Sequence, residues 1–159
     1  KKRKLEIMDD SRIGTYGVIS INISLLIRFI SIYYLFSIME TQEVLVIIIS
    51  VAILSRTSMI YILTTLPPAK KTGLGLAANQ KSSTDIYIAY GVSVLITFFA
   101  ISMFVGYQIY FVSLFAAIFS TLLLSFLAWR AIKGQTGDVC GSSQQLSEVV
   151  IYLFICVVI

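Results

Sequence analysis

Long apolar runs separated by short polar clusters dominate the chain and determine the elements it predicts. The first run lies between Arg12 and Glu40 and is broken only by Arg28; the second lies between Glu43 and Lys70 and is broken only by Arg56. Residues 86–129 carry no charge at all, a stretch long enough for two helical spans of about 20 residues each. It divides near Gly106-Tyr107-Gln108-Ile109-Tyr110, where a glycine, a glutamine and two interfacial tyrosines predict a tight exposed turn. A last run from Val139 to Ile159 opens with polar turns over residues 142–147 and is wholly apolar from Val149. The pattern predicts an all-α, polytopic integral membrane protein of about five transmembrane helices. Residues 1–159 form one transmembrane domain, with no internal repeat.

Composition settles which solvent this fold needs. Hydrophobic residues make up 58% of the chain and charged ones 13%, and the mean hydropathy is +0.93, well beyond the usage of soluble domains. The lipid bilayer is therefore an expected partner. The net charge of +4 and the Lys1-Lys2-Arg3-Lys4 cluster suit anionic lipid, and no nucleic acid is expected. The chain opens on that cluster without an initiating Met, so it is read as starting inside a longer protein.

Histidine is absent, which removes Ser/His/Asp and Cys/His nucleophile arrangements, His-ligated zinc and a histidine base. The two cysteines, Cys140 and Cys156, are too far apart for a metal pair and give no disulfide framework.

Charge then orients the spans. Residues 1–12 are basic, residues 40–43 acidic, the loop over 67–85 carries Lys70, Lys71 and Lys81, and residues 130–133 are basic again. The positive-inside rule puts every basic segment at the cytoplasmic face. Three polar segments that contain glycine therefore converge there: the one around Asp9-Asp10-Ser11-Arg12, the Lys70-Lys71 loop, and Gly134-Gln135-Thr136-Gly137-Asp138.

In the last of these, glycine backbone allows close approach to a phosphate, and Asp138 can hold a divalent cation beside it. The plainer reading is a flexible turn with Asp138 as helix N-cap. Asp10, Arg12, Gly14 and Gly17 likewise read either as a helix start capped by Ser11 or Asp10, or as a phosphate contact at a helix N-terminus. Lys70 and Lys71 are either positive-inside anchors or part of a ligand loop continued by Gly73 and Gly75.

Arg28 and Arg56 lie mid-span, where an unpartnered arginine costs about 2.5 to 3.5 kcal/mol, so both are expected to point inward. Ser20, Ser24, Arg28 and Ser31 recur at helical spacing and predict a hydrated cleft, or else serine hydrogen bonding and an ion pair from Arg28 to Glu148. Arg56, about 15 Å along its helix from Pro67, is within reach of a deep cleft. Carboxylates for a hard cation, cations for phosphate charge and glycines for close approach are the inventory of phosphoryl transfer. Mg²⁺ needs only one or two protein carboxylates, here Asp10 and Asp138.

Three segments together resemble one family. They are residues 7–17 (Ile-Met-Asp-Asp-Ser-Arg-Ile-Gly-Thr-Tyr-Gly), then Arg56-Thr57-Ser58-Met59 with residues 66–75 (Leu-Pro-Pro-Ala-Lys-Lys-Thr-Gly-Leu-Gly), then Gly134-Gln135-Thr136-Gly137-Asp138. In order and spacing they are similar to the cobalamin synthase family, the adenosylcobinamide-GDP ribazoletransferases. The resemblance implies a multi-pass bacterial or archaeal inner-membrane transferase that uses Mg²⁺ and has its active face in the cytoplasm. Its substrates would be adenosylcobinamide-GDP and α-ribazole or α-ribazole 5′-phosphate. It further implies Asp138 and Asp10 as catalytic and metal-holding residues. Arg12, Gly14, Gly17, Arg56, Lys70, Lys71, Gly134, Thr136 and Gly137 would contact substrate.

The family's upstream acidic segment of the D-x-x-x-D-G kind has no counterpart here, so the chain is expected to be the C-terminal portion of a longer enzyme. Ser142 stands where family members tend to have Ala. Two other readings share the inventory: a membrane phosphotransferase of the CDP-alcohol type, and a transporter or accessory subunit with Arg28 and Arg56 along a permeation path. The one-sided clustering of acids, bases and glycines favours an enzyme over a path, which needs polar groups toward both faces.

Overall fold

The computed structural model describes residues 2–10, 14–70 and 83–159. Their helices are α1 (Lys2–Asp9), α2 (Thr15–Ile38), α3 (Thr41–Thr65), α4 (Ser83–Phe104), α5 (Tyr107–Ile132) and α6 (Gly137–Val158). Five of them, α2 to α6, are long and apolar enough to cross a membrane, in keeping with the expected spans. Among the described residues the only bridge between extended segments is an isolated parallel one between Pro68 and Gln135.

Helix α6 is the hub, packed against α5, α3 and α2, while α4 lies against α3 and α5, and α1 touches α5. The close-packed core sits in one half of the bundle. It joins Leu35 of α2, Val44, Ile47 and Val51 of α3, Ile101 of α4, Ile109 and Ala116 of α5, and Ile151 and Ile155 of α6. All of these lie toward the end where α2 meets α3 and α4 meets α5. Many hydroxyls inside the bundle are satisfied by their own helix or across a small-residue contact: Ser113 Oγ donates to the Ile109 carbonyl at 2.7 Å, and Ser120 and Ser147 meet between α5 and α6 at 3.0 Å, whereas the buried Ser102 and Ser143 hydroxyls make no hydrogen bond with the described residues. Outward faces are apolar, as a lipid surround requires, for example at Ile23, Leu26, Ile30 and Phe115.

The short connections have local causes. Between α2 and α3, the Glu43 carboxylate accepts from the Glu40 N–H at 3.0 Å, tying the first turn of α3 to its cap. Between α4 and α5, Gly106 takes φ 127° and ψ 150°, a backbone region that essentially only glycine occupies. The expected turn is therefore present at Gly106, the N-cap of α5, but Tyr107 to Tyr110 already form the first turn of that helix, and Tyr110 is buried in the core instead of lying at an exposed turn. The half of the bundle opposite the core, where α3 and α5 end and α2 and α6 begin, holds the polar segments.

Candidate functional site

The chain reverses between α5 and α6 in four residues, and each has a different task. Lys133 caps α5 in the left-handed conformation (φ 58°, ψ 39°), with its ammonium 5.5 Å from the centre of the Trp129 ring. Gly134 follows, in a conformation any residue can adopt, yet a Cβ there would fall 2.3 Å from the Pro67 carbonyl oxygen. The missing side chain lets two backbones pair: the Gln135 N–H donates to the Pro67 carbonyl and the Ala69 N–H donates to the Gln135 carbonyl, both at 2.9 Å. Gln135 is buried there. Thr136 then caps α6, its Oγ1 accepting from the Val139 N–H at 3.4 Å.

This differs from the sequence expectation in two respects. The N-cap is Thr136 and not Asp138, because Asp138 already lies inside the first turn of α6, exposed and at the positive end of the helix. The close approach permitted by Gly134 is made to the chain's own Pro67–Ala69 backbone. Gly137 and Gly141, by contrast, have open space where a Cβ would stand.

That open space belongs to a cleft of about 780 Å³ between α2 and α6. Ser20 and Ser24 line it from α2, and Asp138, Ser142 and Gln145 line it from α6. Two members of the serine stripe of α2 thus line this cleft, among apolar neighbours such as Ile21, Ile23 and Leu146, whereas Ser31 is buried in the bundle.

Arg28 lies below it, half-buried, and joins three helices through one carboxylate. Its Nη1 is 3.4 Å from Glu148 Oε2, while Glu148 Oε1 accepts from Ser55 Oγ of α3 at 3.1 Å and from Gln144 Nε2 at 3.4 Å. Of the two roles the sequence allows for Arg28, the ion pair with Glu148 is formed. The guanidinium also donates from Nη2 to the Gln145 side-chain oxygen and, at 3.3 Å, to its backbone carbonyl. Guanidinium has only donors, so the amide oxygen of Gln145 must face Arg28 and its NH₂ group must face away. Gln145, which also lines the cleft, is thereby tied to Arg28 through its oxygen.

Arg56 does not point inward. It is exposed, and its Nη1 donates to the Ala52 carbonyl of its own helix at 2.9 Å. Its neighbour Ser55, one helical step around α3, is the residue that faces the interior. Lys70 directly follows the paired Ala69 and is half-buried beside the α6 start. Asp10 follows α1 and is exposed; Gly14 is the N-cap of α2 in place of the expected Ser11 or Asp10, and Gly17 is exposed in its first turn. Arg12, Lys71, Gly73 and Gly75 lie outside the described residues.

Among the described residues no three of Asp, Glu and Cys gather in a way that could hold a metal ion. Sequence reasoning missed Gln145 and Ser142 as cleft residues. The signal was present in the recurrence of residues 138, 141, 142, 145 and 148 along one helical face.

The family model described as cobalamin-5-phosphate synthase matches residues 1–156. Among curated proteins the chain is similar to the adenosylcobinamide-GDP ribazoletransferases of Sinorhizobium medicae (34% identical, 95% of this chain, 58% of the relative) and Azorhizobium caulinodans (35%, 92% and 55%). That of Clostridium kluyveri is 33% identical over 100% of this chain and 61% of its own length. The chain thus spans less than two thirds of the length of these relatives. No solved structure matches it. With all but its last residues matched by the family model, the chain belongs to the cobalamin-5-phosphate synthase family.

Proposed function

We propose that this chain carries the transfer step of late cobalamin assembly, at the cytoplasmic face of the cell membrane. A ribose hydroxyl of α-ribazole, or of its 5′-phosphate, attacks the phosphorus bonded to cobinamide in adenosylcobinamide-GDP. A new P–O bond forms to the nucleoside, the pyrophosphate bridge breaks, and GMP leaves. The observation that carries this reading is the position of Asp138: an exposed carboxylate lining the cleft between α2 and α6, in the first turn of α6. In this reading it takes the proton that the attacking hydroxyl releases.

The rest of the cleft suits a phosphorylated donor. The first amides of α6 lack helical acceptors and favour anionic oxygens, and the Pro67–Gln135 pairing brings Lys70 beside them. Gln145 adds an amide to the cleft lining, and Arg12 and Lys71 are further candidates for phosphate charge. For Mg²⁺ the donor set is small but of the right chemistry, because that ion is commonly held by one or two carboxylates with water and substrate phosphates. Asp138 and Asp10 would hold it, and it would neutralise charge on the pyrophosphate.

The test is GMP release from adenosylcobinamide-GDP and α-ribazole in membranes carrying the protein expressed from its complete coding sequence. Asp138→Asn keeps the helix start intact and is expected to lower the rate by about 10²-fold or more. A wild-type rate in that variant removes Asp138 from the reaction.

A further inference from the structure

Asp138 and Ser142, one helical turn apart on α6, border two compartments. On one side lies the larger cleft toward α2, where Ser20, Ser24 and Gln145 add polar groups to a mostly apolar lining. On the other, a pocket of about 400 Å³ opens between α1, α5 and α6, walled by Met8 from α1 and by Leu124, Leu127 and Ala131 from α5. Apart from Asp138 and Ser142, its lining among the described residues is entirely apolar.

We propose that this pocket beneath α1 is the acceptor subsite, holding the flat aromatic base of the attacking nucleoside with its ribose turned toward Asp138. The assignment rests on the transfer reading above. Three arguments carry it. Displacement at phosphorus puts the attacking and leaving oxygens roughly in line on opposite sides, so the two substrates must approach the reacting phosphorus from different directions. The ridge formed by Asp138 and Ser142 supplies such a divide.

Second, the compartments differ in chemistry as the substrates do. A guanosine diphosphate ester needs hydrogen-bond donors and room, which the larger cleft offers. A base whose rings carry mostly carbon is matched by Met8, Leu124, Leu127 and Ala131, in a volume within the usual range for a small-molecule site. Third, the carboxylate at the rim distinguishes this occupant from a lipid tail: an acyl chain gains nothing beside Asp138, whereas a ribose hydroxyl finds its acceptor there. The hydroxyl oxygen bonds to phosphorus, its proton passes to Asp138, and GMP departs on the cleft side.

Ala131→Phe fills the pocket from α5, and Met8→Trp fills it from α1 with the sequence of the five spanning helices unchanged. Steady-state GMP release is measured in membranes, with each substrate varied in turn, using the protein from its complete coding sequence. Both variants are expected to raise KM for α-ribazole about tenfold or more while leaving KM for adenosylcobinamide-GDP unchanged; Ser24→Phe, in the cleft, should do the reverse. An unchanged KM for α-ribazole in both pocket variants, with GMP still released, overturns the subsite and leaves the transfer reading standing. A raised KM for adenosylcobinamide-GDP in those variants overturns it too. Absence of GMP release from the wild-type protein overturns the transfer reading and the subsite with it.

Discussion

Helix α5 is bounded at both ends by glycine, and the two glycines are there for different reasons. Gly106, at its start, occupies φ 127° with nothing near the position of a missing Cβ. Its constraint is entirely local. Gly134, just past its end, has no unusual φ, but the Pro67 carbonyl lies where a side chain would begin. Its constraint comes from a segment on the far side of a helical hairpin. At this second end the left-handed conformation that would invite glycine falls to Lys133 instead. A glycine next to a helix C-terminus is commonly read as the cap; here it is the residue after the cap, and it is kept for a tertiary contact.

The comparison can be broken most forcefully at Gly134. Gly134→Ala puts a methyl group into backbone, and with it both Pro67–Gln135 and Ala69–Gln135 hydrogen bonds are at risk. The expected cost exceeds the ~1–3 kcal/mol of an overpacked contact. GMP release should fall at least as steeply as the unfolding midpoint in detergent; full activity would show that the pairing of the two loops is dispensable. Gly106→Ala comes next, with a strain of about 1–3 kcal/mol confined to the opposite end of the bundle. Its unfolding midpoint should drop while turnover of the folded protein stays at the wild-type level, and a turnover defect would mean that the two ends of α5 are coupled. Lys133→Gly has the smallest effect. Relief of left-handed strain, about 1–2 kcal/mol, is offset by loss of a cation–π contact worth about 0.5–1 kcal/mol. A slight rise in midpoint is expected, and a fall would assign the larger share to the Trp129 contact.

These differences also explain what could be read in advance. The spans were legible because lipid demands long uninterrupted apolar runs, and Gly106 with its flanking tyrosines marked the one break in residues 86–129. The serine stripe of α2 and the partnership of Arg28 with Glu148 followed from helical spacing and from the cost of an unpaired mid-membrane charge. The role of Gly134 was not legible, since nothing near residue 134 reveals that Pro67 approaches it. The plainer of the two readings of Asp138, a helix N-cap, fails because Thr136 and Asp138 are both acceptable cap residues and only the path of the backbone decides between them. Arg56 was expected inside; its charge is met by a carbonyl of its own helix, an outcome that residue spacing does not encode.

The Pro68–Gln135 bridge has a consequence for how the protein is made. Its two strands of backbone are separated in the chain by the whole α4–α5 hairpin, so during synthesis the first must wait at the membrane surface until that hairpin has been threaded and α6 has begun to emerge. The cleft wall that carries Asp138 is therefore the last to be added, and a nascent chain halted between residues 132 and 135 already has α2 to α5 but lacks α6, the second wall of that cleft.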